Sequence, residues 1–149
     1  LAGLLQRAEA VLARVEALML PVAGADVDWS ANAWRLVVNK RTGLGQLAAV
    51  SKISSMQLCD LHDIDAQKPK LVANTEQFLV GRPANNVLMT GARGCGKSSL
   101  VRALLTAYRQ QGLRIIEIDK HDLRDIPETV ALLTSRPEKF ILFCDDLSF

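Results

Sequence analysis

From Gly91 to Ser98 the chain reads Gly-Ala-Arg-Gly-Cys-Gly-Lys-Ser, the pattern G-x-x-x-x-G-K-[ST]. Average residue usage gives about 0.005 chance matches in a chain of this length. The physical content is specific. A polyphosphate needs many hydrogen-bond donors packed close together. Main-chain N–H groups can converge only where several positions accept unusual dihedrals and carry no side chain, and Gly91, Gly94 and Gly96 meet that need. A helix starting near Lys97 adds the positive end of its dipole. Lys97 is placed to meet β- and γ-phosphates, and the Ser98 hydroxyl to ligate Mg²⁺. The phosphate-binding set is therefore Gly91, Ala92, Arg93, Gly94, Cys95, Gly96, Lys97, Ser98 and Ser99. A glycine-rich turn without a ligand requires neither the lysine nor the serine.

The flanks fix the fold class. Val87-Leu88-Met89-Thr90 is a short apolar run and predicts a buried strand feeding the turn. Lys97 to Gln111 predicts a helix with Leu100, Val101, Leu104, Leu105 and Tyr108 on one face and Gly112 as C-cap. Ile115, Ile116 and Ile118 mark a strand over 114–119. Pro127 opens a helix that ends by Arg136-Pro137, with Glu128 in its first turn. Phe140 to Cys144 is a third strand, ending in Asp145-Asp146. Strands alternating with helices predict a parallel sheet with covering helices. Acids at a strand end lie at the carboxyl edge, where ligands of open α/β sheets bind. Asp145 is expected to hold Mg²⁺, directly or through water; the expected catalytic residues are Lys97, through the phosphates, and Asp146, by polarising an attacking water. A pair of solvated carboxylates is the plain alternative.

Upstream the signals are weaker. Leu1 to Met19 has apolar residues at helical spacing and predicts an amphipathic packing helix ended by Pro21 and Gly24. A second helical pattern runs from Leu47 to Leu58. Lys68-Pro69-Lys70 reads as a linker, and Thr75 as the cap of a short helix through Leu79. The expected division is a mainly helical region over 1–60 and the first part of a P-loop ATPase domain over 61–149.

Composition excludes several classes. Lys and Arg number 18 against 16 Asp and Glu, a net charge of +2, so a strongly basic nucleic-acid binder is excluded, though a local patch is not. Cys59, Cys95 and Cys144 are far apart and odd in number, which gives neither a disulfide framework nor a paired-cysteine zinc site and fits a reducing, cytoplasmic setting. Arg7, Glu9, Arg14 and Glu16 break the N-terminal apolar stretch, against a signal peptide or a membrane span. Gly43-Leu44-Gly45-Gln46-Leu47-Ala48 matches a dinucleotide pattern, but no strand feeds it directly. Asn39-Lys40-Arg41-Thr42 lacks the acid of a guanine-reading motif, which favours ATP over GTP. His62, Asp63 and Asp65 read as solvated polar residues rather than a metal cluster. Cys95 reads as a small loop filler rather than a reactive thiol. Lys40 and Arg41 beside Trp34 are too few to argue nucleic-acid contact.

From Leu61 to Phe149 the chain resembles the bacterial P-loop ATPases known as domain of unknown function 815, within the AAA+-like NTPases. The residues that carry the resemblance are Ile64-Asp65-Ala66-Gln67-Lys68, Asn74-Thr75 with Gln77-Phe78, Gly81-x-Pro83-Ala84-Asn85-Asn86, the phosphate loop through Leu100, and Phe140 to Phe149. The resemblance implies a three-layer α/β core with Ile64 and Asn74-Thr75 on a linker approaching the nucleotide base. It also implies a ring or filament of copies and a protein or nucleic-acid client. The chain departs from a full AAA+ pattern. No later strand, sensor, arginine finger or lid follows Phe149, and Asp-Asp stands where many relatives have Asp-Glu. Both this end and the Leu1 start suggest a fragment truncated after the Walker B strand, with a gap in its sheet and poor stability alone.

The expected cofactors are ATP and Mg²⁺. The expected activity is ATP hydrolysis by the intact protein, coupled to conformational change or assembly, with the fragment inactive. The competing expectations are a nucleotide-binding switch or scaffold that does not hydrolyse, and a P-loop kinase.

Overall fold

The computed structural model describes residues 7, 9, 11, 27–39, 41–53, 55–92 and 94–145. Arg7, Glu9 and Val11 are helical and exposed, and the remainder of the expected N-terminal helix lies outside the described residues. The architecture is α/β, with a mixed, mostly parallel four-stranded sheet.

The sheet begins with a hairpin. Ala33–Val38 (β1) alternates buried Trp34 and Leu36 with exposed Arg35 and Val37, the period of a half-buried strand. Asn39 then makes the turn. Its side-chain oxygen accepts from the Arg41 amide at 2.9 Å, and its carbonyl accepts from Gly43 at 2.7 Å. Gly43 sits at φ 71°, a conformation that favours glycine. The chain returns as Gly45–Ala49 (β2), antiparallel to β1, with Leu47 opposite Leu36.

This hairpin corrects the expected helix over 47–58 and, for the described residues between 27 and 60, the expected mainly helical character of 1–60. Ala48 and Ala49 are good helix formers, but intrinsic preference is worth less than about 1 kcal/mol per residue. A local turn and a cross-strand partner already facing the core override it. The hairpin also crosses the expected boundary at residue 60, since β1 pairs in parallel with Leu113–Ile118 (β3). β3 in turn pairs in parallel with Lys139–Cys144 (β4), so the order is β2-β1-β3-β4.

Three α-helices are described beside the sheet: Lys68–Leu79 (α1), Lys97–Tyr108 (α2) and Ile126–Leu133 (α3). Lys68-Pro69-Lys70 is therefore the first turn of α1, not a linker. Proline fits there because that turn's N–H groups have no intrahelical partner. Thr75 is not a cap either. It is buried within α1, and its hydroxyl donates to the Leu71 carbonyl at 2.8 Å.

Helices cover both faces of the sheet. On one face Trp34, Leu36, Leu47, Ile116 and Ile118 form a core against Ile126, Leu132 and Leu133 of α3. On the other, Ala33 and Ile115 pack against Val101 and Leu105 of α2. α2 is buried on further sides too. Leu100 and Ala103 meet Leu61, while Leu104 and Tyr108 meet Leu113 and, from α1, Leu71, Val72 and Leu79. The expected apolar face of this helix is thus as observed.

Val87 to Thr90 is not a strand. Val87 is 50% exposed and Leu88 68% exposed, and among the described residues the segment pairs with no strand. Only Met89 reaches the core, against the Val101–Leu105 and Leu100–Ala103 clusters. An apolar run becomes a strand only where a neighbour supplies the hydrogen-bond ladder, and among the described residues the edge strand β4 pairs with β3 alone. No helix among the described residues is long and apolar enough to cross a membrane.

Candidate phosphate site

The site is built where the glycine-rich turn enters α2. Gly91, Gly94 and Gly96 lie at φ 149°, 82° and 87°. Gly91 has a second constraint, because a Cβ there would stand 2.8 Å from the Cys95 sulfur. Gly96 immediately precedes α2, and its carbonyl accepts from the Leu100 amide at 2.9 Å, the first turn of the helix. The Cys95 amide donates inside the loop, to the Ala92 carbonyl at 3.2 Å, so this N–H departs from the expected inward-facing set.

Lys97 folds back over the turn. Its ammonium donates to the carbonyls of Gly91 at 2.9 Å and Ala92 at 3.0 Å. The cation thus already sits at the mouth of the loop, held by neutral acceptors that a more strongly charged oxygen can replace. Ser99 is half-buried in the first turn of α2. Ser98 reaches the other motif: its hydroxyl donates to Asp145 Oδ2 at 2.5 Å. The fold therefore brings together Lys97, Ser98 and Asp145, which the sequence reading assigned to one site. Arg93 and Asp146 lie outside the described residues.

The carboxyl edge of the sheet completes the surroundings. Asp119 follows β3 as Asp145 follows β4, and the two strands are parallel neighbours. Burial raises the pKa of the Cys144 thiol at the end of β4, and the Asp119 and Asp145 carboxylates push it the same way. A cavity of about 300 Å³ opens here between Asp119, Asp145, Phe143, Arg35, Arg102 and Glu117. Among the described residues no cluster of three His, Cys, Asp or Glu side chains could hold a metal by itself. Ser98 and Asp145 offer two oxygen ligands of the hard kind that Mg²⁺ prefers, and Mg²⁺ commonly takes its remaining ligands from phosphate and water. The residues present fit that ion.

Other sequence-level candidates resolve differently. Ile64 packs against the Leu61 cluster, and Asn74-Thr75 lies inside α1 rather than on a linker. Asn74 has a distinct task. Its amide nitrogen donates to the Asn85 carbonyl at 2.9 Å and its oxygen accepts from the Asn85 amide at 2.8 Å, which pins the segment leading to the loop. Gly43 to Ala48 is the hairpin turn and β2. Sequence reasoning missed Asp119, though an apolar strand ending in an acid was the same signal that flagged Asp145. It also missed Arg35 and Glu117, which the register of β1 and β3 sets side by side, and Arg102, which the packing of α2 on the sheet brings to Glu117.

The structure thus sets a glycine-rich turn, with a lysine and a serine at the start of the helix it enters, beside a carboxylate at the end of β4 in an α/β fold. Residues 28–149 match the family model described as protein of unknown function (DUF815), and the chain belongs to that family. Neither a curated protein nor a solved structure gives a significant match.

Proposed function

We propose that this chain is the phosphate-binding part of an AAA+-like P-loop ATPase that takes ATP with Mg²⁺. The observation that carries the reading is the Ser98–Asp145 hydrogen bond, with Lys97 one residue away. It unites two motifs far apart in the chain at one point of the sheet edge.

In this reading the Lys97 ammonium leaves the Gly91 and Ala92 carbonyls for the β- and γ-phosphate oxygens. Ser98 and Asp145 would hold Mg²⁺, which when bound would supply electrostatic stabilisation of phosphate charge. In the intact protein Asp146 orients a water and accepts its proton as the water attacks the γ-phosphorus. The bond to the β–γ bridging oxygen breaks, giving ADP and phosphate. The resemblance to AAA+-like proteins extends the proposal to an assembly of copies acting on a macromolecular client.

Calorimetry with Mg²⁺–ATP on the intact protein tests binding, and phosphate release tests turnover. Lys97→Ala should abolish the heat of binding, and Asp146→Asn should abolish phosphate release while leaving the heat. Absence of heat with the unmodified protein would sink the reading.

A further inference from the structure

A second cavity, of about 370 Å³, lies between α2 and the hairpin side of the sheet. Its floor is apolar, with Val50, Ile53, Val101, Leu105, Ile115 and Phe143 among its lining. Its rim is cationic, because Arg35, Lys52 and Arg102 face a single carboxylate, Glu117. Among the described residues, none of the glycine-rich loop lines it. Arg35, Arg102, Glu117 and Phe143 also line the polar cavity that ends at Asp145, so the two spaces meet around these side chains.

Glu117 holds the two arginines unequally. Arg35 donates twice to one carboxylate oxygen, at 2.8 and 3.3 Å. Arg102 reaches the other oxygen only at 3.7 Å. The Arg35 and Arg102 side chains remain 64% and 51% exposed, so a ligand can reach both. Arginine pairs recognise planar oxyanions, and a volume of this size suits a small molecule.

We infer that the groove between α2 and the β1–β2 hairpin binds a small carboxylate with an apolar body. The body lies over Val101, Leu105 and Ile53, and the carboxylate takes Arg102 and competes with Glu117 for Arg35. The charge balance of the rim selects an anion, and the floor selects an aliphatic or aromatic body over a sugar or a free inorganic ion. The site does not depend on nucleotide binding.

Octanoate is the probe, with octylamine and acetate as controls, measured by NMR titration of the intact chain. Octanoate should shift the resonances of Val101, Leu105 and Ile53, and the controls should bind at least tenfold more weakly. Arg102→Gln should weaken octanoate at least fivefold. Glu117→Gln, which releases both guanidiniums, should strengthen it. Far-ultraviolet circular dichroism establishes that each variant is folded. Equal binding of octylamine, no effect of Arg102→Gln in a folded variant, weaker binding to Glu117→Gln, or displacement of octanoate by ATP would each overturn the inference. The last would locate the carboxylate on the phosphate loop instead.

Discussion

Ser98, the second residue of α2, donates its hydroxyl to Asp145, the first residue beyond β4, across 47 positions of sequence. The bond ties the helix that starts at the glycine-rich loop to the carboxyl edge of the sheet. Removing the carboxylate charge leaves the hydroxyl a weaker partner and takes one anionic oxygen from the proposed Mg²⁺ site. Asp145→Asn should therefore lower the affinity for Mg²⁺–ATP by about tenfold or more while changing the affinity for metal-free ATP much less. Calorimetry with and without Mg²⁺ separates the two. Equal losses under both conditions would contradict the metal role of Asp145.

Gly91 is constrained twice, by its φ of 149° and by the Cys95 sulfur 2.8 Å from the place of a Cβ. Gly91→Ala should destabilise the chain by about 1–3 kcal/mol. Cys95→Ala in the same chain removes the sulfur and should restore part of that loss, leaving the backbone strain. Urea denaturation of both single variants and the double variant measures the coupling. Additive effects would mean that the two residues do not collide.

Tyr108 is the single tyrosine of the chain, so tyrosinate absorbance reports it alone. Its pKa is pushed up from 10.0 to about 12, first by burial and then by the hydrogen bond to Glu76 and that group's charge. The folded state therefore holds the proton more tightly than the unfolded state. The stability linked to it is fully present below pH 10 and is lost as pH rises through about 12. Tyrosinate should appear near the upper value in the folded chain. Tyr108→Phe should flatten the fall in stability over that window, as followed by urea denaturation at stepped pH.

Trp34 is 1% exposed, and its indole N–H donates to the Asp28 carbonyl at 3.1 Å. Its ring lies 5.5 Å from that of Trp29 and 6.0 Å from that of Phe140. Trp34→Ala should cost about 3–5 kcal/mol, the range for deleting a large buried aromatic. Because β1 pairs with β3, the loss should appear as a single shifted transition rather than separate melting of the hairpin. Denaturation followed by circular dichroism and by Trp29 fluorescence should give coincident curves.

Asn74 holds Asn85 through two hydrogen bonds, one given and one received. Asn74→Ala leaves the approach to the loop without that clasp. Amide exchange at Asn85 should accelerate by about tenfold, as for loss of a stabilising contact of about 1.4 kcal/mol. Exchange within β3 should not change, since none of the Asn74 bonds reaches it.

Much of this molecule is legible in local patterns. Leu100, Val101, Leu104, Leu105 and Tyr108 announce α2, the isoleucines of β3 announce a buried strand, and Gly91, Gly94 and Gly96 announce a turn at positive φ. Each signal spans a few residues, and backbone sterics or side-chain period explains it without a partner. What failed depended on partners. Gly45 to Ala49 is a strand because Leu36 and Val38 stand opposite, and Val87 to Thr90 is not one because no described strand lies alongside. The runs themselves do not distinguish the two; the turn over 39–43, which brings β2 back against β1, does. The sequence by itself determined the chemistry offered by Lys97, Ser98 and Asp145. Tertiary structure alone decided that Ser98 meets Asp145 and that Arg35 meets Glu117, because strand register and helix packing, which set those distances, arise from contacts between distant segments.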